Sequence, residues 1–157
     1  MPRRVREAVH EAVVSRLELG LYVTAEPDLP VSDVMERMRR CRCGAAVVTE
    51  GGAPCGIFTE RDVLQKVVHR PETWSQPVSE FMTSGPVSIK GQDRVLAALQ
   101  LMHSGHFRNV PVLDGRGRLV GNLTDHALVQ HLCERLEREI LTLPPNPDQV
   151  PDTAEGA

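Results

Sequence analysis

The sequence predicts an α/β (α+β) fold made of two tandem β-α-β-β-α repeats, packed with pseudo-two-fold symmetry and flanked by an N-terminal helix. Three observations predict it. Two segments of the 157-residue chain resemble each other at a spacing of about 65 residues, and an internal period outranks any local signal. In each copy, a stretch with helical apolar spacing precedes two short apolar runs joined by a Gly-rich turn. Each unit therefore carries one apolar sheet face and two amphipathic helices, which bury far more surface as a pair than alone.

Taken in order, residues 1–19 carry an apolar stripe of Val5, Val9, Ala12, Val13 and Leu17 and read as an amphipathic helix. The first repeat spans 20–70. An extended piece, Leu21 to Thr24, is followed by a polar turn with Asp28 and by a helix burying Val31, Val34, Met35 and Met38. The run from Ala46 to Thr59 reads as strand, Gly51-Gly52 turn and strand, and the next helix continues through Val63, Leu64, Val67 and Val68. Residues 71–80, with turn signals at Pro71 and Pro77, read as a linker whose Trp74 packs on the body.

The second repeat spans 81–143. Pro86 to Ile89 is its extended piece, Asp93 lies in its turn, and Val95, Ala98, Leu99 and Met102 mark its helix. Pro111 to Thr124 matches the first hairpin with no gap, and Leu128, Leu132, Leu136 and Ile140 continue as a long helix. The tail, 144–157, opens Pro144-Pro145-Asn146-Pro147 and reads as disordered.

Composition narrows the function. A net charge of −3 offers no basic excess for nucleic acid, and 3% aromatic residues leave few stacking platforms. No stretch approaches the ~18 apolar residues of a membrane span, so the expected location is cytoplasmic. Cys41, Cys43, Cys55 and Cys133 lack a secreted-scaffold pattern and are expected as reduced thiols. Arg39, Arg40 and Arg42 would lower the pKa of an exposed thiol at Cys41 or Cys43. The same cysteines, with His69, His103 and His106, lack a zinc spacing, so no metal is expected. The nucleophile elbow, phosphate loop and His-Glu-x-x-His helix are all missing from the sequence, so an enzyme is not expected.

The strings Gly56-Ile57-Phe58-Thr59-Glu60-Arg61-Asp62-Val63, Phe81-Met82-Thr83-Ser84-Gly85-Pro86-Val87 and Arg108-Asn109-Val110-Pro111-Val112 resemble the cystathionine beta-synthase (CBS) domain family. The resemblance covers roughly residues 15 to 135 and is that of a CBS pair, the Bateman-module type. It implies a regulatory sensor that binds an adenine nucleotide (AMP, ADP or ATP) or S-adenosylmethionine between its repeats. It also implies a homodimer acting on a partner protein that the sequence leaves unknown. A ligand-free dimerisation or scaffold protein is the alternative.

The resemblance also assigns residues. Thr59 and Asp62 fit the family's Thr-x-x-Asp ribose motif, in which the carboxylate accepts from both ribose hydroxyls and the Thr hydroxyl supports it. Hydrogen bonds to a charged group are worth roughly 1.5 to 3 kcal/mol each, so such an acid selects an intact ribose. On residue chemistry alone, the same string reads as a helix N-cap with an acid at the third position. Arg108 is implied as the phosphate contact, with Cys43 at the matching first-repeat position. Ile57, Pro86 and Val87 are implied as adenine walls. A weaker second site would use Tyr22, Val23 and Thr124, but Ala127 stands where its carboxylate should be and Asp125 comes two positions too early. Losing those bonds costs at least ~1.4 kcal/mol, tenfold in affinity, which implies one nucleotide per chain.

Overall fold

The computed structural model describes residues 10–142 of the chain. Each repeat has the expected order. In the first, strand β1 (Val23–Ala25) leads to helix α1 (Val31–Cys41), then β2 (Ala45–Glu50) and β3 (Ala53–Thr59). Helix α2 starts as the turn Glu60–Asp62 and continues as a π-helical turn, Val63–Val67. After a short strand β4 (Thr83–Ser84), the second repeat runs β5 (Ile89–Lys90), α3 (Val95–Gly105), β6 (Asn109–Leu113), β7 (Leu119–Thr124) and α4 (Asp125–Thr142). The strands form two sheets, β1-β2-β3-β4 and β5-β6-β7. In each, the first strand pairs parallel with the second and the second antiparallel with the third.

Helices α1 and α3 form for the same reason and end the same way. Val31, Val34 and Met38 in α1, and Val95, Ala98 and Met102 in α3, recur at helical spacing and are buried. Each helix stops where one residue turns left-handed, Arg42 at φ 57° and His106 at φ 53°, with its N–H returned to the last helical carbonyls.

The two cores exchange their lead-in segments. Val78 is part of the first-repeat core, with Phe81 and Met82 packed on it, whereas Ala12, Val14 and Leu17 belong to the second-repeat core. Backbone bonds hold both arrangements: Val78 N–H donates to Leu29 O, and Val14 N–H to Asp93 O, each at 2.9 Å. Residues 71–80 are therefore more than a linker, since Val78 is fully buried and Pro77 bridges Pro30. Trp74 is half-covered, its indole N–H bonded to the Val67 carbonyl at 3.2 Å.

Three expectations need correction. The helix read over 1–19 is helical only at His10 and Glu11 within the described residues, and then gives way to a 3-10 turn, Val14–Arg16. The cause is competition, because Val14 and Ser15 donate their N–H groups to the Gly91–Asp93 turn instead of to a helix. Residues 1–9 of that reading and the tail 144–157 lie outside the described residues. The helix after Asp62 widens to π geometry, with Val68 N–H reaching Val63 O at 2.8 Å, which leaves Leu64 and Val68 exposed and only Val67 buried. Finally, the hairpins are not gapless copies. Four residues (50–53) separate the pair Thr49↔Pro54, and five (114–118) separate Leu113↔Leu119.

Candidate functional site

That extra residue sets which positions correspond. Glu60 N–H donates to Gly44 O, and Asp125 N–H to Arg108 O, at matching points of the two repeats. Arg108 therefore corresponds to Gly44, and Cys43 to Phe107, whose N–H groups close onto Met38 and Met102 respectively. The expected match of Cys43 with Arg108 fails for this reason, and the first repeat has no side chain at the position of Arg108. Cys43 is instead core, 7% exposed, so the exposure on which a lowered pKa depended is lacking, and burial pushes its thiol up to about 11. Burial also raises the Cys55 thiol, helped by the charge of Glu50.

A cavity of about 320 Å³ opens between the repeats. The first repeat supplies Gly44, Ile57, Thr59, Glu60, Arg61 and Asp62, and the second His106, Phe107, Arg108 and Asn109. The segment joining them adds Thr83, Gly85, Pro86 and Val87. All six residues read from the sequence as the principal site, Ile57, Thr59, Asp62, Pro86, Val87 and Arg108, meet on this one cavity.

The end of β3 builds its acidic corner. Thr59 is extended and caps the turn that follows, donating its N–H to Asp62 Oδ2 at 2.9 Å and its hydroxyl to the same oxygen at 3.1 Å. The two readings of Thr-x-x-Asp thus coexist geometrically: it is a capping box, and it faces a cavity. Asp62 is only 7% exposed, and Lys66 Nζ lies 2.7 Å from its Oδ1. A carboxylate offers about four lone-pair directions, and three of them are occupied by Thr59 and Lys66. With these contacts in place, one direction on Oδ1 is left for a ligand, fewer than a carboxylate free to take both hydroxyls of a diol would offer.

Arg61, His106 and Arg108 are exposed on the cavity, so its lining carries two guanidinium groups and an imidazole alongside Glu60 and Asp62. Asn109 accepts a 3.0 Å bond from the fully buried Asn122, whose own Oδ1 has no partner. Sequence reasoning missed Glu60, Arg61, Lys66, His106 and Asn109. The signal for Lys66 was its i,i+4 spacing from Asp62, and for His106 its place at the helix end that leads into the Arg108 strand.

The weaker second site differs. Tyr22, Val23 and Thr124 are half-buried and do not line the cavity. Thr124 Oγ1 accepts the Ala127 N–H at 3.1 Å, a cap with no acid behind it, and a Cβ on Gly20 would clash with the Thr124 side chain. Asp125 turns its Oδ1 back to the His126 N–H. Among the described residues, no group of three His, Cys, Asp or Glu could hold a metal, and no helix is long and apolar enough to cross a membrane.

Two β-α-β-β-α units around a shared cleft define a tandem module, and the comparisons with known proteins supply its family. The CBS domain family matches residues 21–69 and again 78–134, and the chain belongs to that family as a CBS pair. It is 31% identical over 132 residues to the CBS domain-containing protein CBSCBSPB5 of Arabidopsis thaliana, an alignment covering 83% of this chain and 24% of that one. It is 38% identical over 118 residues to the inosine-5'-monophosphate dehydrogenase of Mycobacterium bovis, covering 71% of this chain and 21% of the enzyme. The chain thus spans about a quarter or less of the length of these two relatives. Among solved structures it is similar to CBSX2 in complex with AMP, with a TM-score of 0.65 at 22% identity, covering 78% of this chain and 96% of that one.

Proposed function

We propose that this chain is an adenine-nucleotide-binding regulatory module, in which occupancy of the cleft alters the packing of the two repeats and thereby a partner protein. One observation carries the reading: six residues drawn from three separate stretches of sequence meet on one cavity. Its volume of about 320 Å³ falls within the roughly 300 to 1,000 Å³ typical of small-ligand pockets. Its chemistry suits a nucleotide in order along the cleft. Ile57, Pro86 and Val87 supply apolar walls for a base, Asp62 an acceptor for a ribose hydroxyl, and Arg108 a bidentate fork for phosphate. Arg61 and Arg108 lining the same cavity favour an anionic ligand, AMP, ADP or ATP, over cationic S-adenosylmethionine.

The bound AMP of CBSX2 supports the adenine class. The dehydrogenase relative aligns over 21% of its length, and no catalytic role is assigned to this chain. The single acidic corner supports one nucleotide per chain, with the Tyr22, Val23 and Thr124 side empty or weak. The cytoplasm is the compartment consistent with reduced thiols and a soluble nucleotide.

Titration calorimetry with AMP, ADP, ATP and S-adenosylmethionine tests the reading, with Asp62→Ala alongside. Saturable binding near one per chain, weakened about tenfold or more in the variant, is the expected result. Absence of heat and of thermal stabilisation with all four ligands would instead identify a ligand-free dimerisation module.

A further inference from the structure

Lys66 was not read from the sequence as a site residue, yet it bonds both to Asp62 and to the segment that leads into β4. Its ammonium lies 2.7 Å from Asp62 Oδ1 and donates to the Phe81 carbonyl, also at 2.7 Å. Phe81 stands two residues before Thr83, in the stretch whose Thr83, Gly85, Pro86 and Val87 also line the cavity, and whose strand β4 pairs with β3. A single cation therefore joins the acidic corner to this second lining segment.

The second repeat lacks both the acid and the cation. Thr59 and Thr124 both end the last strand of their sheet, so Asp62 corresponds to Ala127 and Lys66 to His131. Where the acid is missing the lysine is missing too, and the Nε2 of His131 is buried with no partner. The π turn, Val63–Val67, that carries Lys66 also has no counterpart there, because α4 continues as a regular helix. π turns frequently mark functional positions. A nearly buried carboxylate also needs a compensating charge, which distinguishes this pair from an exposed surface bridge such as Glu36 with Arg39.

We infer that Lys66 is the positioning residue of the cleft: it aims the Asp62 carboxylate at the ligand and ties it to the Phe81–Val87 wall, so that both respond to a nucleotide as one unit. The inference rests on the nucleotide reading for its ligand, and on the two bonds alone for its tether. Because Lys66 occupies one direction of Oδ1, it also selects which ribose hydroxyl the remaining direction meets.

The test compares wild type with Lys66→Met and Lys66→Arg, using AMP and 2'-deoxy-AMP as probes. In Lys66→Met, AMP is expected to bind about tenfold more weakly while 2'-deoxy-AMP changes less, and Lys66→Arg is expected to stay within about threefold of wild type. Unchanged AMP affinity and unchanged discrimination in Lys66→Met, with wild type binding normally, would overturn the positioning role. Hydrogen exchange in the free protein reads the tether without any ligand. The Gly85 amide, bonded to Cys55 O at 3.0 Å, is expected to exchange faster in Lys66→Met and at the wild-type rate in Lys66→Arg. Equal exchange in all three proteins would overturn the tether. Failure of the wild type to bind AMP would remove the nucleotide reading and leave the exchange result to decide the tether.

Discussion

Asp62 and Cys43 show what single residues declare in a sequence and what they conceal. Asp62 was visible because a Thr three residues before an acid is a local pattern, and the two bonds it accepts from Thr59, one from the backbone N–H and one from the hydroxyl, are local too. Its engagement by Lys66 was concealed because i,i+4 pairs are common on any helix. Cys43 was misplaced because its arginine neighbours in sequence point elsewhere: Arg39 and Arg40 pair with Glu36 on the outer face of α1, while the Cys43 Sγ faces the Met38 and Ala45 carbonyls. A thiol raised to about 11 from an ordinary 9.0 is held protonated by the fold. The native chain then binds this proton more tightly than the unfolded chain, so the contribution to stability is complete below about pH 9 and declines as pH rises toward 11. At pH 8, iodoacetamide followed by mass spectrometry is expected to label the exposed Cys133 first and Cys43 only on unfolding. Labelling of Cys43 at the rate of Cys133 in folded protein would show the site to be open.

At the scale of elements, α1, α3 and both hairpins were legible because burial imposes a period on consecutive residues. Three features had no such period. The π turn after Asp62 preserves the apolar letters Val63, Leu64, Val67 and Val68 but rotates Leu64 and Val68 outward. The inserted hairpin residue was hidden because both loops are rich in glycine, so that an ungapped match looked equally good. The exchanged lead-in segments could not be read at all, since nothing in Val14 or Val78 states which of two similar cores it enters. That exchange predicts a crossed response. Val78→Ala is expected to accelerate hydrogen exchange chiefly in β2 and β3, and Val14→Ala chiefly in β6 and β7. Each loss creates a void at a fully buried position, with destabilisation of about 1 to 3 kcal/mol in a denaturant titration. A response confined to the neighbouring repeat in sequence would contradict the exchange.

At the scale of the whole molecule, α4 leaves the body partly uncovered. Leu128 is buried, but Val129, Leu136, Ile140 and Leu141 are exposed, and Leu64 stands exposed on the corresponding helix of the first repeat. Exposed apolar residues on these helices favour association, and a homodimer, as the family resemblance implies, is the expected outcome. Light scattering is expected to give twice the 17.3 kDa chain mass, and Leu136→Glu with Ile140→Glu to shift it to the monomer while leaving the thermal transition cooperative. A monomeric wild type would remove the dimer from the proposal. Composition offers no basic excess for a nucleic-acid surface, but which helix face would remain bare became visible only when α2 proved short.

The exchange of lead-in segments also bears on the history of the chain. A gene encoding one repeat would yield a polypeptide whose lead-in segment has no home core of its own, so two such products would have to clasp each other reciprocally. Joining two copies in one reading frame makes that clasp intramolecular, at the standing effective concentration of a tether. Once joined, the halves are free to diverge while remaining mutually indispensable. One half carries an acid and its lysine, and the other carries alanine and histidine there.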